Sequence, residues 1–367
     1  MMRSTATGSR ERAGGMVLGG PYHPGESQGS GVAATPVVAV KLSVNDVPVS
    51  LWLKLEGYAP HGSIKGRVAQ GLWQDISGRI GPRTEIIEST SGNLGLALAS
   101  LAVRHRVPFT AVVDPRSTAA VVAAIQSLGG RTITVDTPDG AGGYLLTRLG
   151  YIQERLRDHP GLLWPNQYAN PANPRAHALG TAPELRAQLP PRPTSVLVAV
   201  STGGTLAGFR DYVTAARPGW ELIGVDVVGS AALGGRRGPR LLPGIGASRQ
   251  SAFLPQGYRP ALRVSPAEAV SACVWLREST DIGVGASSGA LVAVALRLFR
   301  AVPSRSSVTC LCPDGAEHYL GTVYSPRWRE RLPVVDVARG VEVIAVESPR
   351  FDTLPGPVSL REGRVAP

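Results

Sequence analysis

Ser195-Val196-Leu197-Val198-Ala199-Val200-Ser201-Thr202-Gly203-Gly204-Thr205 is the stretch that decides the fold of this chain. Its opening run is apolar or small throughout, as a strand buried on both faces requires. A turn of hydroxyl residues and glycines follows, and the pattern becomes helical from Thr205. A buried strand feeding a helix through a short turn is half of a parallel crossover unit. The same alternation stands upstream. Thr84 to Ile87, Phe109 to Val113 and Thr132 to Val135 read as strands, each followed by a helix: Leu94 to His105, Thr118 to Leu128, and Gly143 to Arg157. Downstream, Glu221 to Val228 and Ser307 to Leu311 read as strands, with helices near 267–278 and 288–300. Right-handed crossovers turn such a series into an α/β fold of two open doubly wound sheets.

At 367 residues and 43% hydrophobic, the chain is long enough for two core-bearing domains. Residues 1–35 are rich in Gly, Ser and Pro without an apolar signal core, so a disordered extension is expected there. Residues 339–367, with Ser348-Pro349-Arg350 and Leu354-Pro355-Gly356-Pro357, are expected to form a flexible tail. No run approaches the roughly 18 apolar residues of a membrane helix. The net charge of +11 comes from scattered arginines with only 5% aromatics, a solvated basic surface rather than a nucleic-acid interface. Anionic small substrates suit that surface. Cys273, Cys310 and Cys312 show neither zinc spacing nor a disulfide framework, which fits a reducing cytoplasm. Cys310 and Cys312 share one face of a strand. The six histidines have no metal spacing, and no Gly-x-Ser-x-Gly elbow marks a serine hydrolase.

In open sheets, ligands bind beyond the carboxyl ends of the strands, where two turns concentrate glycine and hydroxyl groups. Ser201 to Thr205 can bind a phosphate with its N–H groups and hydroxyls at the positive end of a helix. It is not a nucleotide P-loop, since no Gly-Lys-Ser/Thr follows. Alone, the turn could equally serve to tighten the crossover. Glu88-Ser89-Thr90-Ser91-Gly92-Asn93 likewise suits a carboxylate, and the Asn93 amide can donate to a phenolate oxygen; helix capping by Ser91 or Asn93 is the plainer alternative. Lys65, in Gly62-Ser63-Ile64-Lys65, reads by itself as a solvent charge. With the two turns it completes the parts that hold a phosphate-bearing aldehyde as a Schiff base. Gly283-Val284-Gly285-Ala286-Ser287-Ser288-Gly289 invites a dinucleotide reading with Asp314, but its glycines are spaced G-x-G-x-x-x-G.

The Lys65 segment, Thr90-Ser91-Gly92-Asn93, Asn166-Gln167-Tyr168-Ala169-Asn170-Pro171, Ser201 to Thr205, Gly244-Ile245-Gly246, Gly285-Ala286-Ser287-Ser288-Gly289 and Pro313-Asp314 occur in a familiar order. Over residues 36–335 the chain resembles the fold-type II pyridoxal-phosphate enzymes of the cysteine synthase and cystathionine β-synthase family. Within it, the chain is most similar to the N-(2-amino-2-carboxyethyl)-L-glutamate synthases of 2,3-diaminopropionate pathways. The pointers are Ile87 to Gly95, Val113-Asp114-Pro115, Gly142-Gly143-Tyr144-Leu145, Leu242 to Arg249, and Val323-Tyr324-Ser325 before Trp328. Cysteine synthases typically carry Thr where Leu94 stands. After the lysine the family usually shows Asp, and here Gly66 stands instead.

The resemblance implies pyridoxal 5′-phosphate in a cleft between a large domain, 36–69 with 173–338, and a small mobile domain, 70–172. Lys65 would form the imine with the cofactor aldehyde. Ser201, Thr202, Gly203, Gly204 and Thr205 would hold the phosphate, Asn93 the 3′ oxygen, and Ser287 would face the pyridine nitrogen. A neutral hydroxyl at that nitrogen suits β-elimination over transamination. Thr90, Ser91 and Gln167 would take the substrate carboxylate, with Lys65 as base. The implied donor is O-phospho-L-serine and the acceptor L-glutamate, on a route to siderophores or peptide antibiotics. Tyr144, Arg148, Gly246 and Arg249 are candidates for the acceptor and phosphate sites, though from the residues alone each arginine reads more readily as a surface ion-pair member. A cytoplasmic homodimer is expected, with no nucleic-acid or membrane partner. Two alternatives stay open: a cysteine synthase using O-phosphoserine or O-acetylserine, and a cofactor-binding but inactive partner protein, the latter because of Gly66.

Overall fold

The computed structural model describes residues 34–90, 92–140 and 143–348. The chain enters through β1 (Val37–Val44) and β2 (Val47–Leu55), then α1 (Lys65–Ser77). Strand and helix next alternate through β3 (Glu85–Ser89), α2 (Asn93–His105), β4 (Phe109–Val113), α3 (Ala119–Ser127), β5 (Arg131–Thr134), α4 (Leu145–Asp158) and the short β6 (Leu162–Leu163). α5 (Ala172–Ala176) and α6 (Ala182–Gln188) lead to β7 (Thr194–Ala199), α7 (Gly204–Ala216), β8 (Trp220–Val227) and β9 (Ala261–Val264). α8 (Pro266–Thr280), α9 (Ala286–Ala301), β10 (Ser307–Cys312) and β11 (Val341–Glu347) complete the series.

The strands form a seven-stranded sheet, β11-β1-β2-β10-β7-β8-β9, and a four-stranded sheet, β5-β4-β3-β6. The four-stranded sheet is parallel throughout, and so is the larger one from β2 to β9. The expected α/β class is borne out, with one edge built differently: β1 runs antiparallel to both β2 and β11. Asn45 and Asp46 turn the β1–β2 hairpin with φ of 48° and 64°. A two-residue turn with both φ values positive matches the twist of its strands.

The tail expected to be loose from residue 339 instead includes a strand. Val341 to Glu347 alternates half-buried and exposed positions through Val346 and pairs along β1, the period-two exposure of an edge strand with one wet face. At the other end, Thr35 is buried and bound, its N–H to Glu184 Oε1 at 2.9 Å and its hydroxyl to Glu56 Oε1 at 2.7 Å. The expected extension therefore does not reach residue 35; residues 1–33 and 349–367 lie outside the described chain.

β7 is buried on both faces, as its apolar run demands. Leu197 packs with Leu276 of α8 and Leu291 of α9, while Val196 and Val198 pack with Leu185 of α6 and Phe209 of α7. In the smaller sheet, Ile86, Ala111 and Val113 meet Leu72, Leu98 and Ile125 of α1, α2 and α3, and Ile87 and Val112 meet Ile152 of α4. Val68 and Ala69 already belong to this smaller core, so the division expected at residue 69 falls inside α1. Cys273, Cys310 and Cys312 are buried in the larger core as free thiols, and burial pushes Cys273 and Cys312 up to about 12. Among the described residues no helix is long and apolar enough to cross a membrane, and no cluster of His, Cys, Asp and Glu is placed to hold a metal.

Candidate active site

Three lysines occur in the chain, Lys41, Lys54 and Lys65. Lys41 bonds Ser50 and pairs with Glu347 on the β1 edge. Lys54 is fully buried, its ammonium spent on Glu184, Gln188 and the Thr35 carbonyl. Lys65, the first residue of α1, has no ion pair among the described residues. Backbone pairing fixes its position. Ile64 donates to the Pro313 carbonyl at 2.8 Å and Ser63 bridges Asp314, so Lys65 is anchored at the carboxyl end of β10. Withdrawal from water takes its ammonium down to about 8, with the Asp314 carboxylate pulling the other way. An amine in that range is neutral in part near neutrality and able to add to a carbonyl.

Gly66 answers to geometry. A Cβ at that position would stand 2.2 Å from the Pro60 carbonyl oxygen, because the Pro60-His61-Gly62 turn folds back on the start of α1. The turn needs left-handed backbone, φ 66° at His61 and 70° at Gly62. The aspartate usual in the family therefore cannot fit this local backbone. Gly66→Asp is expected to cost about 1–3 kcal/mol through overpacking, measured by urea unfolding. Stability equal to the parent chain would show instead that the 60–62 turn yields freely.

Asp314 is the buried hub beside Lys65. Its Oδ2 accepts Asn93 Nδ2 at 2.8 Å and Tyr319 Oη at 2.7 Å, while Oδ1 has no hydrogen-bond partner. Burial raises its pKa against the effect of those bonds. Asn93, expected at a cofactor oxygen, thus spends one amide N–H on Asp314 and keeps a second. Ser287 is buried in the first turn of α9, its Oγ 3.9 Å from where a Gly244 Cβ would lie. The turn before α9 has no strand ahead of it, only a bridge from Val284 to Gly315. Gly285 there makes room for Asp314, whose Oδ1 a Cβ would meet at 2.0 Å. That removes the strand–turn–helix context of a dinucleotide site.

Ser201 to Thr205 joins β7 to α7 with both glycines forced. Gly203 has φ +88° and presses on Ser251, whose hydroxyl bonds the Thr202 carbonyl at 2.7 Å. Gly204 opens α7 with Asn173 Oδ1 2.2 Å from where a Cβ would sit. Ser201 Oγ donates to the Gly246 carbonyl at 3.3 Å, and Gly246 N–H to the Val200 carbonyl at 2.7 Å. Thr205 Oγ1 shares a 3.2 Å hydrogen bond with His177 Nε2, whose Nδ1 faces Thr181 Oγ1 at 3.0 Å. Burial, helped by the Lys65 and Arg67 charges, holds His177 well below its usual pKa and hence neutral. No local spacing marks His177 in the sequence; only the fold sets it against Thr205.

On the carboxylate loop, Thr90 is buried at the end of β3, and Ser91 lies outside the described residues. Gln167 is buried beside Thr90, its side-chain amide donating to the Ser89 carbonyl at 2.7 Å and its N–H to Glu88 Oε2 at 3.1 Å. Burial takes Glu88 up to about 7, against bonds from Trp164, Gln167 and Ser89. Arg148 is not the surface ion-pair member allowed for. It is 6% exposed and faces Asp114, with 3.4 Å from Nε to Oδ2. Arg249 lies over the Tyr168 ring at 5.7 Å, and Arg116 over Tyr144 at 5.4 Å. Leu145, Tyr168, Ser201, Thr202, Arg249 and Ser251 line a narrow gap at the α7 turn. A larger cavity of about 450 Å³ lies away from these loops, at the amino end of the four-stranded sheet, between Glu85, Thr110 and Arg131.

A cradle at a helix start that admits no side chain, an amine of lowered pKa and an orphaned buried carboxylate oxygen fit an aldehyde cofactor bearing a phosphate. The family description "pyridoxal-phosphate dependent enzyme" matches residues 30–314, and the chain belongs to that family; its cofactor is pyridoxal 5′-phosphate. Similar relatives are the N-(2-amino-2-carboxyethyl)-L-glutamate synthases of Ralstonia nicotianae and Cupriavidus metallidurans. Each is 37% identical over 82% of this chain and 90% of its own length. An O-acetylserine dependent cystathionine β-synthase of Helicobacter pylori superposes with a TM-score of 0.71 at 31% identity, over 80% of this chain and 96% of that one. An O-ureido-L-serine synthase superposes equally well, TM-score 0.71, at 26% identity over 82% of this chain and 93% of its own.

Proposed function

We propose that the chain joins O-phospho-L-serine to the α-amine of L-glutamate, giving N-(2-amino-2-carboxyethyl)-L-glutamate and phosphate, a step toward 2,3-diaminopropionate. The observation that carries β-replacement chemistry is Lys65, an amine without an ion pair, brought to about 8 beside the two anion-binding turns. The glutamate acceptor is supported by the name and the near-complete coverage of the two 37% identical relatives.

When bound, the cofactor draws electrons from the substrate α-carbon, so that a β-substituent can leave and a nucleophile can take its place. Lys65 Nζ would hold the aldehyde carbon of the cofactor and, once free, would remove the substrate α-proton as a neutral base. The Ser201 to Thr205 turn grips the cofactor phosphate, with His177 fixing the Thr205 hydroxyl. Thr90, Ser91 and Gln167 hold the substrate carboxylate, and Ser287 serves the ring nitrogen without charging it. Phosphate would leave Cβ with the electron pair of the Cβ–O bond, the glutamate nitrogen would bond Cβ and shed its proton, and Lys65 would return a proton to Cα. The part of the chain built on the four-stranded sheet would close over the cleft and keep water out. We read the protein as a cytoplasmic homodimer whose product feeds a siderophore or peptide antibiotic.

Incubation of the holoenzyme with O-phospho-L-serine and either L-glutamate or sulfide tests the acceptor. The glutamate adduct is expected; cysteine from sulfide with no adduct would reject the assignment in favour of a cysteine synthase. The amine also sets a pH dependence. Because the folded Lys65 pKa is lowered, the neutral form grows as pH rises through about 8. Cofactor capture by the apoprotein is therefore expected to rise about tenfold from pH 7 to 9 and then level. Rapid mixing followed by absorbance would show it; a rise that begins only near the ordinary lysine range would contradict the lowered pKa of Lys65.

A further inference from the structure

We propose that Arg240, backed by Arg116, forms a cationic subsite for the distal anionic group of a substrate, a second carboxylate or a phosphate. This rests on the β-replacement reading above and adds a cation beyond Arg148, which faces Asp114. Arg240 lies in the loop that follows β8 and stands directly behind the cofactor turn. Its stem packs on Gly246, where a Cβ would meet Arg240 Cδ at 2.9 Å, and the Gly246 carbonyl accepts the Ser201 hydroxyl. Arg240 Nη2 donates to Ser248 Oγ at 3.1 Å. Nη1 is shut from solvent with no hydrogen-bond partner. A guanidinium N–H enclosed without an acceptor is costly and calls for an explanation, of which a missing ligand is one.

The charges around it favour an anion. Burial and the neighbouring Arg116 both work against the Arg240 charge, and Asp139 and Asp226 oppose them. Neither acid pairs with Arg240 within salt-bridge range. Asp139 takes the N–H groups of Gly143 at 3.0 Å and Leu146 at 3.3 Å. Asp226 takes those of Val227 at 2.9 Å and Leu233 at 3.2 Å, and Arg263 also faces it. Two guanidinium groups of like charge thus stand close together, beside carboxylates already engaged by backbone. Tyr144 lies under Arg116, at 5.4 Å from guanidinium to ring. Gly143 brings the loop ahead of α4 onto this spot: a Cβ there would fall 2.5 Å from Ser248 Oγ and 3.1 Å from Arg240 Nη2. The subsite is therefore shared between a loop of the smaller sheet and a loop of the larger one, as a group that holds substrate across a cleft must be.

Arg240→Gln and Arg240→Lys test this in the holoenzyme, with glutarate and inorganic phosphate as calorimetric probes. KM values for L-glutamate and O-phospho-L-serine accompany the binding data. Loss of a charged hydrogen bond is expected to weaken one probe and raise the matching KM about 10- to 100-fold in the Gln variant, and less in the Lys variant. Weakened glutarate binding assigns the subsite to the acceptor carboxylate; weakened phosphate binding assigns it to the donor. Wild-type protein that binds neither probe overturns the proposal. So does a Gln variant of unchanged circular dichroism that binds both as the wild type does. Failure of the reaction assignment shows separately, as absence of adduct formation in the wild type.

Discussion

Lys65→Ala is expected to abolish both the yellow colour of the holoenzyme and turnover, by at least about a thousandfold. Lys65 is asked to do two things: hold the cofactor aldehyde and carry the α-proton. Neither remaining lysine can substitute, because Lys54 is locked among Glu184, Gln188 and Thr35, and Lys41 sits on the β1 edge. Added small amines should restore part of the proton transfer without restoring the covalent link. Circular dichroism separates loss of chemistry from loss of fold, since Lys65 is only partly buried and removing it opens no large core cavity. Turnover within tenfold of the parent enzyme would place the chemistry on another residue.

Arg67→Ala is expected to destabilise the fold by about 3–5 kcal/mol, the cost of leaving buried carboxylates without their cation. Arg67 stands two residues beyond Lys65 and bonds Glu56 through Nε at 2.7 Å and Glu184 through Nη1 at 2.8 Å. Glu56 is fully buried and Arg67 nearly so. Burial opposes the Arg67 charge, but Glu56 and Glu184 outweigh it and carry its pKa above the usual value. Thr35 and Lys54 close the network, which ties the start of α1 to β2 and α6. The variant should therefore also take up cofactor more weakly, since its first turn positions Lys65. Arg67→Leu combined with Glu56→Leu should recover part of the lost stability, because it removes the uncompensated charge. A loss below 1 kcal/mol in urea unfolding would show that the network contributes little.

The parallel core was legible because β7 is apolar from Val196 onward, β10 carries Val308, Cys310 and Leu311, and each lies next to a helix-forming stretch. The turns from Ser201 and Thr90 were legible as anion sites for the same reason: a buried strand that ends in Gly and hydroxyl groups has few other uses. β11 was not, since its wet face carries Ile344 and Val346 as well as Glu342 and the strand gains its meaning only from β1, some 300 residues earlier in the chain. The β1–β2 hairpin was missed although Asn45-Asp46 is a turn signal that could have found it. Lys65 could have been singled out without any resemblance, by noting how few lysines an arginine-rich chain retains. Arg148–Asp114, His177–Thr205 and the Pro60 carbonyl against Gly66 are contacts between separate turns of the chain. Local pattern carries no trace of them. Arg240 is of the same kind, one arginine among many until the fold sets it behind Gly246.

Borohydride reduction of the holoprotein, followed by proteolysis and mass spectrometry, reads the covalent partner of the cofactor directly. The pyridoxyl mass is expected on the peptide that contains Lys65, and on that peptide alone. Its recovery on Lys41 or Lys54, or the absence of any reducible adduct in cofactor-saturated protein, would contradict the assignment on which the active site is built.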